Sequence, residues 1–183
     1  MGDVEPLLER HGDRVYRLAL RITGGEDDAA AVVEETLQAA ARTIQTPTDT
    51  SAVGSWIDRT AGRAAYRRLR ARRPQAHEIA FDDVVPPLDA TRHFEPSDDW
   101  STRIDDPMQG ALGTAVTEAI DVLPADYRTA LVLQDAEGVS KLDIAEILGI
   151  DVPGVSSRVH HARLFVRKRL SEYFRTSAPR ERE

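Results

Sequence analysis

The stretch SKLDIAEILGIDVPGVSSRVHHARLFVRKRL, residues 140–170, constrains this chain more than any other, because its punctuation admits only two helices and a tight turn. Ser140, with Asp143 three residues on, resembles a capping box that starts a helix. Gly149 is the expected stop for that helix, which carries Leu142, Ala145 and Leu148 on its apolar side. Only Ile150 separates this stop from Asp151, which is well placed to cap the next helix. Pro153 then falls in the first turn, where its missing amide hydrogen has no intrahelical partner. Two helices joined by so short a turn form the helix-turn-helix signature.

On the second helix Val152, Val155, Val159, Ala162, Val166 and Leu170 recur at spacings of three and four and predict one buried stripe. At about 100° per residue, Ser157 and His161 point away from that stripe, with Gly154, Arg158 and His160 beside them. This polar, basic face has no evident use inside the chain. If the helix enters a major groove by its N-terminal half, Gly154, Ser157, Arg158, His160 and His161 meet base edges, while Arg163, Arg167, Lys168 and Arg169 reach phosphates. Arg158 is the first choice for a base-specific contact, since arginine reads guanine through two hydrogen bonds.

The net charge of −7 looks unsuited to DNA until it is divided along the chain. Residues 1–73 hold 12 basic and 11 acidic side chains, residues 74–107 hold 2 and 9, and residues 108–183 hold 10 and 11. The whole acidic excess therefore sits in the middle. Residues 59–73 contain seven arginines and no acid, and residues 151–175 contain six basic residues against two acidic ones. Two basic helices are joined by an acidic strap.

The N-terminal part reads as three helices. Val15, Leu18, Ala19 and Ile22 recur at helical spacing up to Gly24-Gly25, and Ala30, Val33, Leu37, Ala40, Ala41 and Ile44 do so up to Pro47. Val53, Trp56, Ile57, Thr60, Ala61 and Ala64 form a third stripe that leads into the arginine run. There Arg59, Arg63 and Arg67 fall on one side at steps of four, with Tyr66 and Arg70 adjacent. Such a row of cations with one aromatic suits a nucleic-acid strand whose phosphates are held while an unstacked base meets the ring. Residues 74–107, with five prolines and nine acids, read as an extended linker, although Phe81, Phe94 and Trp100 hint that it lies against something. A helix ending near Val122 and another from Pro124 to Gly138 precede the helix-turn-helix. No segment alternates with period two, so the predicted fold class is all-α: two small helical domains, residues 1–73 and 108–176, an acidic linker at 74–107 and a tail at 177–183.

Catalytic readings find no support in the pattern. Without cysteine there is no disulfide, thiolate ligand or thiol nucleophile. His11, His77 and His93 are far apart, and the adjacent His160 and His161 diverge by about 100° on a helix, which is poor geometry for a shared metal. No phosphate-cradling glycine loop, nucleophile elbow or HExxH appears. The expectation is a protein that is not an enzyme and uses no cofactor and no metal. No run is long and apolar enough to span a bilayer, and the N-terminal residues lack signal-peptide character, so a cytoplasmic location without membrane insertion is expected.

The stretches VYRLALRITGGEDDAAAVVEETLQAAAR, SWIDRTAGRAAYRRLRARR and LPADYRTALVLQDAEGVSKLDIAEILGIDVPGVSSRVHHAR, in this order and spacing, resemble the bacterial extracytoplasmic function (ECF) sigma factors of the sigma-70 family. The resemblance covers most of residues 1–175. It implies a region 2 and a region 4 joined by a linker, binding to core RNA polymerase and to promoter DNA, and an anti-sigma factor as a further partner. By this resemblance Arg59, Arg63, Tyr66, Arg67 and Arg70, with the loop at residues 43–53, read and open the −10 element. Ser156, Ser157, Arg158, His160, His161, Arg163 and Arg167 face the −35 element, and Glu34, Glu35 and Leu37 dock on the polymerase clamp. The acidic linker would occupy the polymerase's basic RNA exit path.

The chain departs from the family pattern at Ala31, Glu34, Leu37 and Ala41 in the clamp-docking helix, and at Ser156 and His161, where lysine and arginine are frequent. The last two replacements remove cations and should weaken both the affinity and the salt dependence of the −35 contact. Two other readings stay open at this level: a sigma-like decoy that captures an anti-sigma factor, and a helix-turn-helix regulator that binds DNA unaided.

Overall fold

In the computed structural model of the chain, residues 5–43, 50–72 and 108–177 are described, and these form seven α-helices. They are α1 (Glu5–Thr23), α2 (Glu26–Thr43), α3 (Thr50–Arg72), α4 (Met108–Asp121), α5 (Ala125–Leu131), α6 (Lys141–Leu148) and α7 (Val152–Ser177), with a π-helical turn, Val132–Ala136, continuing α5. There is no strand among the described residues. The acidic segment read as a linker, most of the loop at 43–53 and the tail beyond Ser177 lie outside them.

Helices α1 to α3 form one lobe. Val15, Leu18, Ala19 and Ile22 are fully buried, as their spacing predicts. Ala29, Ala40 and Ala41 of α2 and Ala61, Ala64 and Ala65 of α3 are buried too, and their short side chains let the helices approach closely. The α2 stripe differs from the expected one at its start. Ala29, Val32 and Thr36 are buried, whereas Ala30 is exposed and Val33 is half-buried. The consecutive alanines 29–31 carry no apolar contrast, so spacing alone could not choose between neighbouring rows.

Helices α4 to α7 form the second lobe, and its turns follow the local code. The Ser140 hydroxyl accepts from the Asp143 amide at 3.2 Å and donates to the Asp143 carboxylate at 2.7 Å. Gly149 ends α6 at φ 70°, its amide bonded to the Ala145 carbonyl at 2.9 Å. The Asp151 carboxylate caps α7 by accepting from the Gly154 amide at 2.9 Å. Leu142 departs from expectation: it is 70% exposed, because α6 buries the face carrying Ile144, Ala145, Ile147 and Leu148 and places its first turn away from it. The helix expected to run from Pro124 to Gly138 widens after Leu131, where the Glu137 amide reaches back five residues to the Val132 carbonyl.

The two lobes share one apolar core. The same buried cluster contains Leu18, Ile57 and Leu69 from the first lobe and Leu133, Ile144, Ile147 and Val159 from the second. Gly62 of α3 marks the closest approach, since a Cβ there would stand 3.0 Å from Leu133 Cδ2 and 3.4 Å from Ile147 Cδ1.

Gly149 offers a test of the turn that aims α7. No atom lies within 4 Å of where its Cβ would be, so a methyl there meets open space and only the left-handed backbone opposes it. Gly149→Ala should cost about 1 kcal/mol, lowering Tm by about 2–4 °C in thermal denaturation followed by circular dichroism.

Candidate nucleic-acid interface

The arginine row of α3 does not stand free. Arg59 donates to the Asp143 carboxylate of α6 at 2.8 Å, across the lobes. Arg67 and Arg68 pair with Glu35 of α2, and Arg72 with Asp28 at 2.8 Å. Arg63 is exposed and makes no ion pair with a described residue. Tyr66, expected to offer its ring to a base, is instead only 4% exposed. Its hydroxyl donates to the Asp126 carboxylate of α5 at 2.8 Å and accepts from Arg70 at 3.3 Å, while the Arg70 guanidinium lies 5.9 Å from the ring centroid. The physical reason is the second lobe, which closes over this side of α3.

The expected polymerase-docking residues divide. Glu34 is exposed and accepts from Gln38 at 3.0 Å, one turn on. Glu35 is tied to the arginines of α3, so a residue expected to bind polymerase and one expected to bind DNA neutralise each other here. Leu37 is 3% exposed and belongs to the buried face of α2 rather than to a docking surface.

On α7 the centre of the predicted stripe, Val155, Val159 and Ala162, is buried and Ser157 faces outward, whereas Val152, Val166 and Leu170 are only half-buried. The polar face, however, has partners within the chain, contrary to expectation. Arg158 lies over the Tyr127 ring at 5.9 Å, with Nε 3.7 Å from the Asp126 carboxylate. His161 stacks on Tyr127 with ring centroids 6.4 Å apart, and His160, exposed, sits 5.9 Å from His161. Ser156 accepts from Lys141 at 3.1 Å. Arg163 grips Asp135 with two hydrogen bonds of 2.9 and 2.6 Å, and Arg167 is exposed.

Two further groups complete the seam between the lobes. Arg128, 2% exposed, donates from Nε to the Arg21 carbonyl at 2.9 Å, sealing the C-terminus of α1, and pairs with Asp121 at 2.6 Å. Arg21 in turn donates to Glu137 at 2.8 Å. Electrostatics record the closure. Burial, together with the Asp126 carboxylate, pushes the Tyr66 hydroxyl up to about 12. Burial also raises the Asp58 carboxyl above its ordinary value, against the pull of Arg14 at 2.6 Å and with a push from Glu137. Ser140 first, and Arg59 second, hold the Asp143 carboxyl below the usual carboxylate range. Sequence reasoning missed Asp126, Tyr127, Arg128 and Asp143 in these roles. No local pattern signals a partner 60 residues away, which is the separation of Tyr66 and Asp126.

The family description "Sigma-70 region 2" matches residues 7–75 and "Sigma-70, region 4" matches residues 114–166. The ECF RNA polymerase sigma-E factor of Haemophilus influenzae is 31% identical over 90% of this chain and 85% of its own length. The chain belongs to the ECF sigma factors. SigM of Mycobacterium tuberculosis is similar to this sigma factor at 31% identity over 87% of the chain and 72% of its own length. SigE of Mycolicibacterium smegmatis is 30% identical over 94% of the chain, which spans 63% of that relative's length. Among solved structures, the sigma factor RpoE of Bartonella quintana, in complex with the anti-sigma factor NepR, shares the fold at a TM-score of 0.55 and 22% identity, over 91% of this chain and 96% of its own. The lobe of α1 to α3 thus corresponds to region 2, and that of α4 to α7 to region 4.

The lowered pKa of Asp143 makes the inter-lobe pair measurable. The stability it contributes is complete above about pH 4 and is lost as the pH falls through the depressed folded value. Arg59→Ala should raise the Asp143 titration midpoint followed by carboxyl NMR, and Ser140→Ala should raise it further. A midpoint unmoved by Arg59→Ala would mean that the pair does not form in solution.

Proposed function

We propose that this sigma factor grips promoter DNA at two points, with the arginine helix of region 2 on the −10 element and the exposed half of α7 on the −35 element. As an ECF sigma factor the chain is a transcription initiation factor that directs core RNA polymerase to promoters. The residue assignments are the further step. In region 2, Arg59, Arg63, Arg67 and Arg70 hold the phosphates of the melted strand and Tyr66 receives a base. In region 4, Arg158 reads a base edge, Ser156, Ser157, His160 and His161 lie along the groove, and Arg163 and Arg167 reach phosphates. Glu34 and Glu35 on α2 meet the polymerase.

The observation that carries this reading is the outward face of α7. Ser157 and His160 are exposed on the side opposite Val155, Val159 and Ala162, on the second helix of a capped helix-turn-helix. The domain limits in this reading are 1–73 and 108–176, with the acidic 74–107 segment as the connector and 177–183 as a tail. The factor contributes binding and strand separation rather than bond chemistry, and it acts in the cytoplasm, where polymerase and chromosome meet. An anti-sigma factor is a natural regulatory partner, since the similar Bartonella sigma factor is found in complex with one.

The test is run-off transcription from promoter fragments of the source genome with core polymerase and the purified chain. Arg158→Ala should reduce transcripts by about 5- to 150-fold, in line with about 1–3 kcal/mol for one bidentate base contact. Arg167→Ala should weaken binding with little change in promoter preference and reduce the salt slope by about one. Duplex binding without polymerase would instead identify a stand-alone regulator. Capture of an anti-sigma factor without transcripts would identify a decoy.

A further inference from the structure

The leading end of α7 brings no positive charge of its own to a groove. Residues 152–157 hold no cation, Asp151 places a carboxylate at the cap, and Arg158, the first cation of the helix, faces Asp126. Arg163, further along, is held by Asp135. A cation nonetheless stands at this end, and it comes from the other helix of the motif. Lys141, exposed in the first turn of α6, donates from Nζ to the Ser156 hydroxyl at 3.1 Å. The acid of that turn, Asp143, is taken by Ser140 and by Arg59 of α3. Among the described residues Lys141 thus has a neutral partner and makes no ion pair, whereas Arg158 and Arg163 each face a carboxylate.

We infer that Lys141 is a phosphate-binding residue of the −35 contact, with Ser156 as the positioning residue that holds its ammonium beside the leading end of α7. An ammonium bonded to a hydroxyl keeps its full charge and has two N–H donors left, so a phosphate oxygen can join it without displacing a carboxylate. Arg158 and Arg163 must first leave theirs. The carboxylate left behind then takes up a counterion, which offsets part of the ion release that drives binding. A serine at position 156 suits this arrangement, because a lysine or arginine there would repel the Lys141 ammonium. The charge expected to be missing at Ser156 is therefore supplied by α6. The inference rests on α7 being the −35 helix, as proposed above, and adds to that reading a residue of the preceding helix.

The test titrates the holoenzyme, formed from the full chain and core polymerase, with promoter fragments of the source genome that are either intact or cut short of the −35 segment, over a range of salt concentrations. On the intact fragment Lys141→Ala should weaken binding severalfold and lower the salt slope by about one, with no change in preference among −35 sequences. On the shortened fragment the same substitution should change nothing. Alanine favours the helix at this exposed position, and circular dichroism checks that the fold is kept. Lys141→Arg should keep the wild-type slope. The decisive variant combines Lys141→Ala with Ser156→Lys, which returns one cation to the same place from α7 and should restore the slope. A slope unchanged by Lys141→Ala overturns the inference. So does a double variant that stays at the slope of Lys141→Ala, since the lost charge then acted elsewhere. Wild-type binding that is indifferent to removal of the −35 segment would sink the assignment of α7, and the inference with it. Binding that needs the −35 segment but ignores Lys141 would sink the inference alone.

Discussion

The buried guanidinium of Arg128 is the interaction on which the arrangement of the lobes depends. A cation that is 2% exposed is tolerable only if its hydrogen-bonding and charge requirements are met inside the protein. Asp121 supplies the charge from the end of α4, and the Arg21 carbonyl supplies an acceptor from the last turn of α1, where the helix dipole favours a cation. Gly24 completes the fit. Its φ of 72° turns the chain out of α1, and a Cβ there would stand 3.1 Å from Arg128 Nη2. Three helices from two lobes are thereby tied to one side chain, and the apolar contact of Gly62 with Leu133 and Ile147 closes beside it.

Around this point the charged pairs differ in depth, and depth decides how readily they exchange. Arg67 with Glu35 and Arg163 with Asp135 are largely exposed pairs, a kind that contributes about 0–1 kcal/mol. A polyanion that releases its counterions on binding competes easily for such arginines. Tyr66 on Asp126 is different, since the ring is buried and the hydroxyl is held between a carboxylate and Arg70. Rim pairs are thus loosely held, while the Tyr66 ring lies buried at the seam.

Much of region 4 was legible because its signals are local. Ser140, Gly149, Asp151 and Pro153 each act within four residues through a cap, a left-handed turn or a missing amide hydrogen, and each stands where its chemistry predicts. The stripe of Val155, Val159 and Ala162 was equally readable, because it alternates sharply with polar neighbours. Where that contrast was weak the reading slipped, at Ala30 among consecutive alanines and at Leu142 in a first turn that faces away from the core. Leu37 was read as a docking residue from the family resemblance, yet its apolar side chain is buried with the rest of its row.

Local rules acting over one or two turns thus determined the helices, their ends, the helix-turn-helix and the sorting of charge, since caps and periodicity need no distant partner. The closure of region 4 onto α3, the burial of Tyr66 and the second partner of Arg158 were decided by tertiary structure alone. They join residues 32 to 116 positions apart, as in Arg158 with Asp126, Tyr66 with Asp126 and Arg21 with Glu137. At those separations nothing in a residue's immediate neighbours distinguishes an arginine that will face water from one that will meet a carboxylate. Only tertiary packing makes that choice, within a lobe for Arg158 and between the lobes for Tyr66 and Arg21.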